Sequence, residues 1–176
     1  MNIAQIDLGF SEYPTPEDWS VNVYVSGCTN YCQNCHNENL SDFDYGERTT
    51  SEKLTEAIIQ YAKRNLTYAV TFLGGDPLHY NNIDEIIETC KLLKENQYDI
   101  CIYTGYEIIE IDKPEIFRYI NYIKCGRYKP EFGQLSYKSS EKFVLASTNQ
   151  KFYKLINNNP TLISSNGIIE FGNLQL

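Results

Sequence analysis

The chain has 176 residues, 42% hydrophobic and 22% charged, a balance typical of a globular protein that builds its own core. Its formal net charge of -8 argues against a nucleic-acid partner, because phosphate backbones repel an acidic surface. No apolar run is long enough to cross a bilayer, and residues 1–10 lack the basic start and apolar middle of a secretory signal. We therefore expect a cytoplasmic protein with no membrane and no nucleic-acid partner.

The six cysteines raise the question of a disulfide scaffold. Disulfides are typical of small exported domains that cannot build a sufficient core, which does not describe this chain. In a reducing compartment, closely spaced cysteines more often bind a metal or carry out redox chemistry. Cys28, Cys32 and Cys35 form such a group, whereas Cys90 and Cys101 lie at apolar positions of a predicted helix and a predicted strand, where we expect core residues.

Strand and helix patterns alternate along most of the chain. In chain order they are a strand at 21–26, a helix starting near Thr49 and Glu52, a strand at 68–73, a helix starting near Asn82 and Glu85, a strand at 98–103, a short helix from Pro114, and strands at 121–125 and 142–147. Such alternation predicts an α/β fold with right-handed crossovers and a mostly parallel sheet.

The length limits how far such a sheet can close. A closed eight-stranded βα barrel needs roughly 250 residues, so we expect an open sheet or a partial barrel. We predict a single domain over residues 1–176, with a core of about residues 20–150 and a C-terminal extension over residues 151–176. No function can be read from residues 156–176.

Chemically distinctive residues follow each predicted strand. In parallel βα proteins the functional site lies where the C-terminal ends of the strands meet. The segments that follow the five predicted strands are Cys28, 74–77, 104–106, 125–126 and 147–150. We therefore expect these segments to share one edge of the sheet with the clustered cysteines.

The cysteine cluster has three interpretations. A zinc site could use Cys28, Cys32, Cys35 and His36, but adjacent residues such as Cys35 and His36 are awkward ligands for one ion. Buried structural thiols fit poorly, because asparagine and glutamine residues interleave with the cysteines. A 4Fe-4S cluster normally takes four thiolates. Three would leave one iron able to bind a small molecule through nitrogen and oxygen.

The spacing Cys28-x3-Cys32-x2-Cys35 matches the cluster motif of the radical S-adenosylmethionine (SAM) enzymes. Gly-Gly-Asp-Pro at residues 74–77 resembles the Gly-Gly-Glu-Pro segment of that family, whose backbone meets the amino group of SAM. The chain thus resembles a family defined by a cluster and a sulfonium cofactor.

Further segments resemble one subgroup, the activating proteins of anaerobic ribonucleotide reductase. They are 35–37 (CHN), 73–78 (LGGDPL), 103–106 (YTGY) and 146–155 (ASTNQKFYKL), and the resemblance covers most of residues 3–155. The chain departs from the pattern at three places. Asn34 replaces a frequent aromatic residue, Cys125-Gly126 replaces a frequent Asp-Gly, and PTPEDWS replaces a Gly-Pro-Gly-x-Arg run ahead of the first predicted strand.

This resemblance implies a partial βα barrel of the radical SAM type with two cofactors, one 4Fe-4S cluster and SAM. It implies that Cys28, Cys32 and Cys35 are the iron ligands. The residues implied to bind SAM are Asn34 through its backbone near the adenine, Gly74, Gly75 and Asp76 at the methionine amino group, and Thr104 and Tyr106 beside SAM or an entering protein loop.

The implied activity is reductive cleavage of SAM to methionine and a 5′-deoxyadenosyl radical. That radical would take a hydrogen atom from a glycine near the C-terminus of the large catalytic chain of anaerobic ribonucleotide reductase. A one-electron donor such as flavodoxin would reduce the cluster. The alternatives are a radical SAM enzyme acting on a small molecule and a zinc-binding interaction module without catalytic activity.

Overall fold

The computed structural model describes residues 1–9, 19–133 and 144–170. Within these residues, eight strands form one sheet and two short strands form a hairpin. The strands are β1 (Asn2–Gly9), β2 (Ser20–Val25), β3 (Glu47–Arg48), β4 (Ala69–Gly74), β5 (Asp99–Tyr103), β6 (Tyr122–Cys125), β7 (Lys151–Ile156), β8 (Asn159–Leu162), β9 (Ser164–Ser165) and β10 (Ile168–Ile169). The α-helices are α1 (Ser51–Arg64) and α2 (Ile83–Glu95), and short 3-10 helices span Glu38–Ser41, Ile108–Glu110, Pro114–Arg118 and Pro130–Phe132.

The strands follow the order β3-β1-β2-β4-β5-β6-β7-β8 across the sheet. The central strands β2, β4, β5 and β6 are parallel, and their register places Val23, Phe72, Ile102 and Ile123 in one row. The outer strands β1, β3, β7 and β8 are antiparallel to their neighbours. The predicted α/β class and the parallel centre are therefore confirmed, while the outer strands make the whole sheet mixed. Among the described residues no pairing joins β3 to β8, so the sheet is open.

Both α-helices begin near their predicted starts, but with different caps. The hydroxyl of Thr50 accepts a hydrogen bond from Lys53 N at 3.4 Å, so the cap of α1 lies one residue later than predicted. At α2 the side chain of Asn82 makes no cap, and its Nδ2 instead donates to the carbonyls of Ser26 (3.0 Å) and Asp76 (3.1 Å). This ties the start of α2 to two loops at the ends of parallel strands.

The larger core lies between the two α-helices and one face of the sheet. Phe72 and Ile102, on neighbouring central strands, are fully buried and belong to one cluster with Ile58 of α1 and Ile86 of α2. Cys90 of α2 is fully buried in the same cluster, which confirms its predicted core position. In the part of the chain that the structure describes, no helix has the length and apolar character needed to span a membrane.

A smaller core covers the other face of the sheet. Side chains alternate between faces along a strand, so Cys101 points away from the helices. It is fully buried, as predicted, and packs in a cluster that includes Leu145, Phe152 and Ile169. The segment predicted as a C-terminal extension therefore supplies two sheet strands, a hairpin and part of a second core.

The predicted strand at 142–147 is wrong over its described part, residues 144–147. Residues 142–143 lie outside the described residues, and residues 144–147 form only isolated bridges, to Ile168 and Gly133. The chain instead enters the sheet at β7, antiparallel to β6. The apolar stretch KFVLAS has the composition of a strand, but its described part packs against the β9–β10 hairpin rather than beside β6.

The short helix predicted from Pro114 is present as a 3-10 helix, Pro114–Arg118, between β5 and β6. β1 has no counterpart among the predicted strands, because most of its residues are only half-buried and their pattern alternates weakly. It nevertheless pairs with β2 from Ile3 to Gly9, extending the sheet on its first side.

Candidate functional site

The C-terminal ends of the four parallel strands surround one cavity. The loops that follow β2, β4, β5 and β6 contribute Cys28, Gly75, Thr104 and Gly126 to its wall. Its volume is about 670 Å³, within the range usual for cofactor and small-molecule sites. The predicted convergence of these strand ends on one edge is confirmed.

The loop at 147–150 reaches the same edge by a route that was not predicted. It precedes β7, whose first residue Lys151 lies opposite Cys125, the last residue of β6. Gln150 is buried in the cavity wall, and its Nε2 donates to the carbonyl of Gly126 at 3.0 Å. An antiparallel strand that begins at this edge thus delivers the loop that a parallel strand was expected to deliver.

The three clustered cysteines all line this cavity. Cys28 and Cys32 are half-buried, Cys35 is exposed, and all three are free thiols. The Sγ of Cys28 accepts from Asn30 N at 3.4 Å, and a left-handed backbone at Asn34 (φ 58°) tightens the loop. Burial raises the pKa of the Cys28 thiol, so its thiolate needs a metal or another positive charge to stabilise it.

The glycine pair at the end of β4, Gly74 and Gly75, packs directly against the end of β2 and the start of the cysteine loop. Gly74 has φ +105°, and a Cβ there would lie 2.8 Å from the carbonyl oxygen of Val25. A Cβ at Gly75 would lie 2.7 Å from the carbonyl oxygen of Leu40 and 2.8 Å from that of Gly27. Both positions therefore need glycine, because backbone atoms approach them closely. At Gly74 the approaching backbone belongs to β2, and at Gly75 it belongs to Gly27 and Leu40.

Replacing Gly75 with alanine is expected to destabilise the chain by about 2–3 kcal/mol, because its new methyl group would be overpacked between two carbonyls. The urea midpoint of unfolding measures this loss. Gly133→Ala is the control, since a Cβ there meets nothing closer than 3.0 Å, and its effect should be clearly smaller. Equal midpoints for Gly75→Ala and the unmodified chain would contradict this packing argument.

Asp76 lies beneath the cavity wall, where its carboxylate is fully buried. One carboxylate oxygen accepts from Thr104 Oγ1 (2.8 Å) and Leu78 N (3.0 Å), and the other from Asn30 Nδ2 (2.7 Å) and Gly105 N (3.0 Å). Burial raises the pKa of this carboxyl, and the four hydrogen bonds oppose that rise. The side chain thus joins the cysteine loop to the loop that follows β5.

Asn30 and Arg127 belong to the site although the sequence gave no reason to choose them. Asn30 bonds to Asp76 through Nδ2, and its Oδ1 accepts from Arg127 Nε at 3.0 Å. A Cβ at Gly105 would lie 2.2 Å from Asn30 Nδ2, which explains the glycine there. The position of Arg127 just after β6 could have indicated a place on this edge, but no local signal reveals its contact with Asn30.

Seven of the nine residues predicted to bind the cluster or SAM line the cavity. These are Cys28, Cys32, Asn34, Cys35, Gly74, Gly75 and Thr104. Asp76 and Tyr106 stand outside that lining. Tyr106 is half-buried against the larger core, and its N–H donates to Thr104 Oγ1 at 3.2 Å. Asp76 and Tyr106 therefore each bond to the hydroxyl of Thr104, which lines the cavity, and do not line it themselves.

The thiol donors of the cavity suit an iron–sulfur cluster. Within the described ranges, no three His, Cys, Asp or Glu side chains are arranged to hold a single metal ion. Three thiols from one short loop instead share the wall of a cavity that is large enough for a cofactor. Soft thiolate donors are the ligands that iron–sulfur clusters use, so these residues fit such a group.

Comparisons with known proteins agree with this donor set. A family model described as 4Fe-4S single cluster domain matches residues 19–153. The anaerobic ribonucleoside-triphosphate reductase-activating protein of Enterobacteria phage T4 is 26% identical to this chain. The match covers 74% of this chain and 81% of the length of the phage protein. Proteins of the same name from Haemophilus influenzae and Pasteurella multocida are each 30% identical over 68% of this chain, and over 83% and 82% of their own lengths.

The family match spans most of the chain, which therefore belongs to the 4Fe-4S single cluster domain family. Among the relatives found, those at 30% identity group it with the anaerobic ribonucleoside-triphosphate reductase-activating proteins.

Proposed function

We propose that this chain is a radical SAM activating enzyme that generates a glycyl radical in anaerobic ribonucleotide reductase. The observation that carries the proposal is the meeting of Cys28, Cys32 and Cys35 with the glycine pair of β4 in one cavity at the ends of parallel strands. The family match and the names of the relatives support the same reading. The proposed fold is accordingly a partial βα barrel, here formed by an open sheet.

The three cysteines would hold a 4Fe-4S cluster and leave one iron without a protein ligand. When bound and reduced, this cluster supplies the electron that cleaves SAM to methionine and a 5′-deoxyadenosyl radical, which takes a hydrogen atom from the substrate. The resemblance assigns no further catalytic side chain. The protein would contribute binding, orientation and exclusion of water.

Gly74 and Gly75 present backbone to the cavity, and we propose that this backbone receives the amino group of SAM. Asp76, which the resemblance assigns to the same group, has a carboxylate already accepting four hydrogen bonds. We therefore propose that it positions Thr104 and Asn30, and that Thr104 faces the ligand. Asn34 stays the proposed backbone contact of the adenine.

The proposed substrate is a glycine near the C-terminus of the large chain of anaerobic ribonucleotide reductase. A glycyl radical is delocalised over the neighbouring amide groups, and glycine, having no Cβ, lets a backbone enter a site deeply. The cavity lies at the C-terminal ends of the parallel strands. The loops after β2 and β6 carry the strongly exposed Tyr31 and the exposed Arg127 there. A one-electron donor such as flavodoxin would reduce the cluster in the cytoplasm.

Anaerobic reconstitution tests the proposal in three stages. The chain should bind about four iron and four sulfide, release 5′-deoxyadenosine from SAM with a reductant, and produce a glycyl doublet in the electron paramagnetic resonance (EPR) spectrum of the large reductase chain. A colourless zinc protein without sulfide would contradict the proposal. Deoxyadenosine release without any glycyl signal would instead favour a small-molecule substrate.

A further inference from the structure

The side chain of Phe43 lies directly on the residue that precedes the first cysteine of the loop. A Cβ added at Gly27 would overlap the Phe43 ring, so the ring packs on the bare backbone of that glycine. Phe43 is half-buried, whereas its neighbours Asp42 and Asp44 are exposed. The ring of Phe43 is therefore the part of this segment that packs on the start of the cysteine loop.

The segment that carries Phe43 also holds the backbone at the start of the cysteine loop. Gly27 N donates to the carbonyl of Leu40 at 2.8 Å, and Cys28 N donates to that of Ser41 at 3.2 Å. Two successive backbone N–H groups thus depend on this segment. A displacement of the Phe43 ring would therefore disturb the position of Cys28.

A buried histidine packs against the Phe43 ring. The ring centre of His79 lies 4.7 Å from that of Phe43, at an interplanar angle of 54°, and 4.1 Å from that of Tyr80. Tilted aromatic pairs at such distances are favourable. His79 is 1% exposed, its Nδ1 accepts from Asn81 N at 3.2 Å, and within the described residues its Nε2 makes no hydrogen bond. His79 thus meets the Phe43 segment by ring packing.

We propose that His79 is a positioning residue for the iron ligand Cys28, acting through Phe43 and Gly27. The inference rests on the proposed function only in taking Cys28 as an iron ligand. The His79 ring fixes the Phe43 ring, and the Phe43 ring covers Gly27, which sets where the thiol of Cys28 enters the cavity. His79 and Phe43 are not among the residues that line the cavity, so their role is to support a ligand.

Alkylation of the cluster-free full chain by iodoacetamide, mapped by mass spectrometry, tests this support without any cofactor. His79→Asn keeps an acceptor for Asn81 N but removes the ring. In this variant Cys28 should react about 2- to 10-fold faster, the range for one lost aromatic pair. His79→Phe, which keeps a ring, should restore the rate of the unmodified chain. Cys35 is already exposed and Cys90 is fully buried, so both should keep their rates.

Tyr80→Ala is the matched control. Tyr80 also packs on the His79 ring, but it is 70% exposed, so this variant should leave the rate at Cys28 unchanged. Because Cys90 reacts only when the core opens, a parallel rise at Cys28 and Cys90 would indicate general unfolding and would overturn the inference. An unchanged rate at Cys28 in His79→Asn would overturn it as well.

Anaerobic reconstitution then tests whether this support matters for the cluster. The EPR signal of the reduced cluster should change shape in His79→Asn and stay unchanged in His79→Phe and Tyr80→Ala. Identical spectra and iron contents in all of these chains would overturn the role at the cluster. If the unmodified chain holds no cluster, the proposed function fails and Cys28 is no iron ligand, whereas the alkylation rates still decide whether His79 holds Cys28 in place.

Discussion

Replacing Cys32 with alanine is expected to abolish the iron–sulfur absorbance and the sulfide content of the anaerobically reconstituted chain. The three thiols that line the cavity are the proposed cluster ligands, so losing one leaves two for the whole cluster. In metal sites generally, replacing a residue that only hydrogen-bonds to a metal ligand already lowers metal affinity or activity by about 10- to 100-fold. The loss of a ligand should therefore reduce SAM cleavage by more than about 100-fold.

Cys90→Ala is the control for this experiment. Cys90 is a residue of α2 that is fully buried in the larger core, away from the cavity lining, and alanine is well tolerated in a helix. This variant should lose about 1 kcal/mol of stability and keep its full iron and sulfide content. A Cys32→Ala chain with the spectrum and iron content of the unmodified protein would show that the ligand set is wrong.

Replacing Asp76 with alanine is expected to destabilise the chain by about 3–5 kcal/mol, because buried donors would lose their acceptor. Four donors depend on this carboxylate, two of them backbone N–H groups of Leu78 and Gly105. The other two, from Thr104 and Asn30, would no longer hold the cavity wall in place. SAM affinity should therefore fall along with the urea midpoint of unfolding.

Two further variants define the outcome of the Asp76 experiment. Asp112→Ala removes an exposed carboxylate and should change stability by no more than about 0.5 kcal/mol. Asp76→Asn keeps one carbonyl acceptor but turns an NH₂ group towards donors, so its stability should lie between those of Asp76→Ala and the unmodified chain. A midpoint for Asp76→Ala equal to that of Asp112→Ala would refute a central role for this carboxylate.

The parts of the site that are local in sequence could be predicted, because their signals lie within a few residues. The spacing of Cys28, Cys32 and Cys35 is visible directly, and strand patterns followed by glycines indicated which loops share an edge. The alternation of apolar residues likewise predicted the buried cysteines of α2 and β5. These signals depend on covalent distance and periodicity, which the sequence states explicitly.

The contacts that hold the loops together could not be predicted, because they join distant residues. Asn30 meets Asp76 across 46 positions and Arg127 across 97, and no periodic pattern encodes such pairs. The antiparallel entry of β7 escaped prediction for a related reason. Strand composition reveals that a segment is extended but not which neighbour it pairs with or in which direction.

We propose that three protein thiolates leave one iron of a 4Fe-4S cluster open to SAM. EPR spectroscopy of the reduced protein, recorded with and without SAM, tests it most directly. We predict a reduced-cluster signal that changes shape on adding SAM and is absent from Cys32→Ala. A reduced-cluster signal that stays the same at saturating SAM would contradict the account.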